Sequence, residues 1–126
     1  SYYILAKQGE IVFPTSSLSY PSQQTCQWVI EGSIGSRIQI QIIHFSTEHD
    51  VDFLEIWGGG RTVTSSVRML RLSGTLDEAL SSSSVLLTPN NLALLRFFSD
   101  TTTASSGFRL YFQSGFACDL ARVPNR

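Results

Sequence analysis

The chain lacks the features that would assign it to nucleic acid or to a membrane. Its nine basic and ten acidic residues leave a net charge of −1 over 126 residues. No excess of positive charge therefore marks it for nucleic acid or for an anionic membrane surface. The best apolar run, Leu92 to Phe98, is far too short to span a bilayer and contains Arg96. We expect no nucleic-acid partner and no direct membrane insertion.

The sequence also lacks the motifs of catalysis and of structural zinc. It contains no Gly-x-Ser-x-Gly sequence, and neither His44 nor His49 stands in a recognisable base position. Its two cysteines, Cys26 and Cys118, form no CxxC pair, and no histidine lies at zinc-site spacing. We therefore predict that the protein is not an enzyme. Between two free thiols and one disulfide we favour the disulfide, and with it an extracellular compartment.

Alternating patterns and turn residues dominate where helical periodicity is scarce. Between Arg37 and Phe45, isoleucine alternates with glutamine, which predicts a strand with one packed face and one wet face. Further short apolar segments are separated by glycine, serine, asparagine and proline: Tyr2 to Ala6, Cys26 to Ile30, Phe53 to Trp57, Val67 to Leu72, Val85 to Thr88, Leu92 to Phe98 and Phe108 to Phe112. This pattern predicts an all-β domain, a two-layer antiparallel β-sandwich.

Two shorter segments lead to local predictions. The run Gly58-Gly59-Gly60 is interpreted as a tight turn, because the residues that follow it, Thr62 to Thr64, do not start the helix that a phosphate-binding loop requires. The segment Thr75 to Leu80 is expected to form a single helical turn, with Thr75 as its cap and Glu78 three residues further on.

An acidic loop lies between two of the predicted strands. Glu48, Asp50 and Asp52 occupy every second position, so their oxygens can turn toward one point. A hard cation such as calcium prefers such oxygen ligands. The alternative is a solvated hairpin tip that happens to be acidic, and the loop by itself favours this alternative.

Several short motifs occur in an order that is typical of one family. They are Gly9-Glu10-Ile11, Tyr20-Pro21, Cys26-Gln27-Trp28-Val29-Ile30, Ile38 to Phe45, Phe45-Ser46-Thr47-Glu48, Asp52-Phe53-Leu54-Glu55-Ile56, Leu72-Ser73-Gly74, Phe98-Ser99-Asp100 and Gly107-Phe108. From about Gly9 to Phe112 the chain resembles a CUB domain, the extracellular module of complement proteases, tolloid-type proteases and many receptors. The resemblance implies a jelly-roll-like CUB fold over residues 1–118, followed by a C-terminal linker or tail at 119–126.

The chain departs from the usual CUB pattern in its cysteines and in its acidic loop. Most CUB domains carry two local disulfides, and here only Cys26 occupies one of those four positions. Ser73 stands where a cysteine is usual, and the loop from Glu48 to Asp52 is short. Both features resemble the CUB domains of attractin-like proteins. As we carry over the fold, the strand after Cys26 runs antiparallel beside the last strand, which implies a Cys26–Cys118 disulfide.

The resemblance also implies a function, because a subset of CUB domains binds calcium at one edge. The corresponding ligand set here is Tyr20, Glu48, Asp52, Asp100 and Thr102, whereas Asp50 is expected to be solvated. The alternative is a hairpin tip in which Asp100 caps a turn through its own backbone. With Ca2+ bound, this edge would recognise a basic side chain of another extracellular protein or of a neighbouring module. Two alternatives remain open: a metal-free structural CUB module and a carbohydrate-binding β-sandwich.

Overall fold

The protein folds as a sandwich of two β-sheets, which a computed structural model describes for residues 2–13, 25–47, 52–75, 85–100 and 107–115. In these ranges the strands are β1 Tyr2–Leu5, β2 Gln8–Phe13, β3 Thr25–Glu31, β4 Arg37–Ser46, β5 Phe53–Gly58, β6 Val67–Leu72, β7 Val85–Leu87, β8 Leu92–Phe98 and β9 Gly107–Gly115. The predicted all-β, two-layer architecture is confirmed, and β6 and β8 have the bounds that the sequence predicted.

Each sheet has a simple order of strands. The first sheet has five strands in the order β1-β3-β8-β5-β6, and the second has four in the order β2-β9-β4-β7. Neighbouring strands are antiparallel, as predicted, apart from β1, which pairs with β3 in parallel. Parallel pairing of β1 is possible because a crossover through β2 in the other sheet separates it from β3 along the chain.

The core lies between the sheets and is built from the inward face of each strand. In β4 the isoleucines at every second position, Ile38, Ile40 and Ile42, are buried while the intervening glutamines reach the surface. On the opposite sheet, Phe97 is fully buried and packs against Phe108 with ring centroids 5.8 Å apart. Large aromatic side chains thus fill one end of the sandwich and hold the strand ends there in fixed positions.

The turn after β5 agrees only partly with the sequence-based prediction. The glycine run is a turn, as predicted, and Gly59 adopts a φ of +106°, a conformation that L side chains rarely adopt. A short 3-10 helix, Val63–Ser65, follows it, so the expectation that no helix starts there is wrong. The reason is reciprocal capping: Thr62 Oγ1 accepts from the Ser65 N–H, and Ser65 Oγ accepts from the Thr62 N–H. In the predicted helical turn at 75–80, only Thr75 is described, and it bridges to Ser46.

The strand pairing inferred around Cys26 is wrong. Its strand, β3, lies between β1 and β8, whereas the last strand, β9, belongs to the other sheet. Moreover, β9 ends near the end of β3 that is farther from Cys26. This is shown by Gly32, directly after β3: a Cβ added to it would lie 2.8 Å from the Cβ of Ser114 in β9. Cys118 lies outside the described residues, so its pairing with Cys26 stays a prediction.

The disulfide prediction implies that mass spectrometry of an unreduced digest recovers Cys26 and Cys118 in one linked peptide. Closing so long a loop stabilises a fold by about 4–5 kcal/mol at most in the chain-entropy model. Recovery of both residues as alkylated thiols after denaturation without reductant would contradict the pairing. In that case native alkylation of Cys26 should be slow at neutral pH, because burial raises the pKa of its half-buried thiol.

Candidate metal centre

Two of the predicted calcium ligands lie at the end of the sandwich that the aromatic core supports. Asp52 comes directly before β5, and Asp100 follows two residues after the end of β8. Within the sheet, Phe53 of β5 pairs directly with Phe98 of β8 in antiparallel register. The residue before one strand and the residues after the other must therefore be neighbours. Strand pairing brings together two acidic residues that are 48 positions apart.

Asp52 is the central residue of this cluster. Its side chain is fully buried, with an exposed fraction of 0%. Its Oδ1 accepts a hydrogen bond of 3.0 Å from the backbone N–H of Asp100, which is half-buried. A buried carboxylate is costly unless hydrogen bonds or opposite charge compensate it, so this bond fixes the main chain of Asp100 against Asp52. The bond uses the main-chain N–H of Asp100, so the alternative in which the Asp100 side chain caps its own turn stays a prediction.

Thr47 joins a third and a fourth segment to the same cluster. Its buried hydroxyl donates to the backbone oxygen of Asp52 (3.1 Å) and accepts from the N–H of Gly74 (3.0 Å). Its own N–H donates to the Gly74 oxygen at 2.8 Å. Gly74 has a φ of +84°, the left-handed region that favours glycine. Thr47 thus holds the ends of β4 and β6 beside the start of β5. The motif that contained Thr47 gave no sign of this role.

The remaining members of the predicted ligand set cannot be assigned positions. Tyr20, Glu48 and Thr102, together with Asp50, lie outside the described residues. Among the described residues, no group of three or more histidine, cysteine, aspartate or glutamate side chains could hold a metal ion. The two described aspartates provide hard carboxylate oxygens, the donors that calcium prefers, but calcium takes six to eight oxygen ligands. The described donor set fits part of a calcium site.

The opposite end of the sandwich carries an open depression of about 520 Å3. Its lining is Leu5, Ala6, Lys7, Glu31, Gly32, Ser33, Ser36, Ser114 and Gly115. None of these described lining residues is aromatic, so the depression lacks the ring on which a sugar would stack. This cavity does not support the carbohydrate-binding alternative.

The two described sheets, of five and four strands, place the chain in the class of β-sandwich domains. A profile of the CUB domain matches residues 1–112, and the chain belongs to this family. CUB domains are non-catalytic binding modules of extracellular or cell-surface proteins, which confirms the predicted location. Within the described part of the chain, no helix is long and apolar enough to cross a membrane.

Curated relatives include the cubilins. The chain is 31% identical over 115 residues to the cubilin homolog of Drosophila melanogaster, covering 86% of this chain and 3% of that protein. It is 33% identical over 112 residues to the cubilin of Canis lupus familiaris, covering 84% of this chain and 3% of that protein. The chain thus spans only about 3% of the length of these relatives.

Solved structures support the fold. The extracellular region of zebrafish Gpr126/Adgrg6 superimposes with a TM-score of 0.73 at 22% identity, covering 91% of this chain and 14% of that chain. The MASP-1 CUB2 domain, crystallised bound to Ca2+, superimposes with a TM-score of 0.74 at 20% identity, covering 89% of this chain and 96% of that chain. At these identities the likeness establishes the CUB fold alone.

Proposed function

We propose that the chain is a non-catalytic, extracellular protein-interaction module that binds Ca2+ at the Asp52–Asp100 end and there recognises a basic side chain of a partner protein. One observation carries the proposal: the buried Asp52 carboxylate is hydrogen-bonded to the main chain of Asp100 at 3.0 Å. This bond holds two acidic residues from distant parts of the chain at one edge. A divalent cation offsets the repulsion between such groups.

The residues that would hold the ion are Asp52 and Asp100, completed by Tyr20, Glu48 and Thr102 from the adjoining segments. The ion would supply a fixed positive charge that joins these segments and orients their oxygens. Carboxylate oxygens turned toward solvent at such a site accept short, charge-assisted hydrogen bonds from lysine or arginine. Thr47 supports this arrangement, because its hydroxyl donates a hydrogen bond to the backbone oxygen of Asp52. The MASP-1 CUB2 domain, a member of the same family, was crystallised with Ca2+ bound, which supports the proposal at the level of the family.

Calorimetry tests both parts of this proposal. Titration of Ca2+ into metal-free protein is expected to release or absorb heat with a saturable stoichiometry. An oligolysine peptide is then expected to bind in the presence of Ca2+ and to lose its binding in EDTA. The absence of any heat at millimolar Ca2+, or oligolysine binding that persists in EDTA, would contradict the proposal.

A metal-free structural role is the second candidate, and one observation favours it. The first strand, β1, carries three exposed large side chains, Tyr2, Tyr3 and Leu5, with exposed fractions of 62%, 52% and 72%. Exposed apolar side chains on an edge strand suit contact with a neighbouring module. The two candidates differ in the same calorimetric experiment, because a purely structural module gives no heat with Ca2+.

A further inference from the structure

The outer face of the five-stranded sheet carries a cluster that the proposed calcium site does not include. We call it the arginine face, and it consists of Arg68, Arg71, Arg96, Glu55, Phe53, Phe98 and Trp57. Glu55 of β5 lies opposite Arg71 of β6 on one side and opposite Arg96 of β8 on the other. Neighbouring strands lie about 4.8 Å apart, so the Cα atoms of Arg71 and Arg96 are about 10 Å from each other across the sheet.

Aromatic rings support both of these arginines. The guanidinium carbon of Arg71 lies 3.8 Å from the centroid of the Phe53 ring, and that of Arg96 lies 4.8 Å from the centroid of Phe98. The two phenylalanines are themselves direct cross-strand neighbours. A guanidinium stacked on a ring loses rotamer freedom before any partner arrives, so less entropy is lost when its N–H groups bind one.

The cluster has more positive than negative charge. Its single carboxylate, Glu55, lies 3.5 Å from Arg68 and 3.8 Å from Arg71 through Oε2, while its Oε1 accepts from Trp57 Nε1 at 3.1 Å. The Arg96 guanidinium lies over the Phe98 ring and forms no ion pair within the described part of the chain. Two guanidinium groups, those of Arg68 and Arg71, therefore share one largely buried carboxylate, and a third, that of Arg96, has no ion pair within the described residues. Among the described residues, this face therefore has guanidinium groups that can accept further carboxylate partners.

We propose that the arginine face docks an acidic segment of a partner protein, whose carboxylates bind Arg71 and Arg96 while its apolar side chains contact Phe53, Phe98 and Trp57. The planar fork of arginine matches a carboxylate through two parallel hydrogen bonds. Arginine combined with aromatic residues is also the composition that dominates binding energy at protein–protein interfaces. The surface goes beyond the proposed calcium edge, although Phe53 directly follows Asp52 in sequence, and its binding does not require the ion.

A peptide fits this face better than a sulfated polysaccharide does. A polyanionic sugar gains from continuous positive charge, whereas here Glu55 sits in the middle of the arginines and half-buried aromatic side chains lie on both sides of it. An acidic peptide can place its carboxylates on Arg71 and Arg96 and its apolar side chains beside Glu55, on the aromatic residues at either side of it. The partner chemistry is therefore an acidic, partly apolar protein segment.

The test uses a fluorescein-labelled oligoglutamate peptide with a phenylalanine at each end, titrated with the full chain in EDTA and followed by anisotropy. Binding is expected, and it should weaken as salt is raised. Arg96→Gln is expected to weaken it about tenfold, since a hydrogen bond to a charged group is lost. The matched control is Arg109→Gln, an equal change of charge on the other sheet, where Arg109 pairs with Glu10 at 2.7 Å. This control should stay within about twofold of the wild type.

Three outcomes would overturn the inference. One is equal weakening by Arg96→Gln and Arg109→Gln, which would indicate non-specific charge attraction. Another is equal binding of an oligoglutamine peptide with the same ends, which would indicate apolar contact alone. The third is binding of heparin oligosaccharides with no binding of oligoglutamate. Because the measurement is made in EDTA, failure here does not affect the calcium proposal, and failure to bind Ca2+ does not affect this one.

Discussion

An Asp52→Asn variant is expected to bind Ca2+ at least about tenfold more weakly than the wild type, a loss of about 1.4 kcal/mol or more. The substitution removes one negative charge but keeps a side-chain oxygen that can accept the hydrogen bond from the Asp100 N–H. In the wild type this backbone nitrogen lies 3.0 Å from Asp52 Oδ1. The local fold should therefore survive while the cation loses a carboxylate ligand. With Ca2+ at a hundred times its Kd, the wild type should gain about 2.7 kcal/mol of stability. That gain is roughly 10 °C in Tm for a domain of this size.

Thermal denaturation with and without Ca2+ measures this difference directly. At the same Ca2+ concentration, Asp52→Asn should show at most about half of the calcium-dependent increase in Tm, because a tenfold weaker site gains only about 1.4 kcal/mol. Its Tm in EDTA should stay close to that of the metal-free wild type. Glu10→Gln is the matched control, because Glu10 is an exposed carboxylate that pairs with Arg109 on the other sheet. A full calcium-dependent increase in Asp52→Asn would exclude Asp52 as a ligand. The same loss in Glu10→Gln would point to a general charge effect.

Much of the fold followed from the sequence because its strands have strong local signals. Alternating isoleucine and glutamine in β4 specify which face is buried, and glycine, proline and asparagine mark the turns on either side of most strands. Pairing is different, since it depends on residues distant in sequence. The expectation that the strand of Cys26 lies beside the last strand was wrong for this reason: β3 pairs with β1 and β8 instead.

The candidate site could be predicted by residue type but not by its supporting contacts. Asp52 and Asp100 were expected together on the basis of a family resemblance, and the register of β5 and β8 brings them together. The role of Thr47 could not be inferred, because a threonine at the end of a strand is an ordinary turn residue. Only the close approach of Gly74 makes its hydroxyl both a donor and an acceptor.

The arginine face was hidden for a related reason. The segment from Leu92 to Phe98 is almost continuously apolar, as expected for a central strand with little exposure on either side, so it shows no clear alternation. Arg96, Glu55 and Arg71 lie side by side on three adjacent strands, β8, β5 and β6. Sequence patterns reveal the residues along a strand, whereas a binding face of this kind is assembled perpendicular to the strands.

The two adjacent phenylalanines of β8 lead to the largest expected difference in stability. Phe97 is fully buried, with its ring centroid 5.1 Å from Phe13 and 5.8 Å from Phe108. Phe97→Ala should therefore cost about 3–5 kcal/mol, since it removes apolar contacts and leaves a cavity. Phe98 faces outward beneath Arg96, so Phe98→Ala should cost only about 1 kcal/mol.

Urea denaturation distinguishes these two substitutions. The midpoint of Phe97→Ala should fall far below that of the wild type with an unchanged m-value, and the variant could lose much of a total stability of about 5–15 kcal/mol. Phe98→Ala should unfold close to the wild type yet bind the oligoglutamate peptide more weakly, because Arg96 loses its support. Equal midpoints for the two variants would mean that β8 does not present Phe97 to the core and Phe98 to the outer face. The register that builds both the core and the arginine face would then be incorrect.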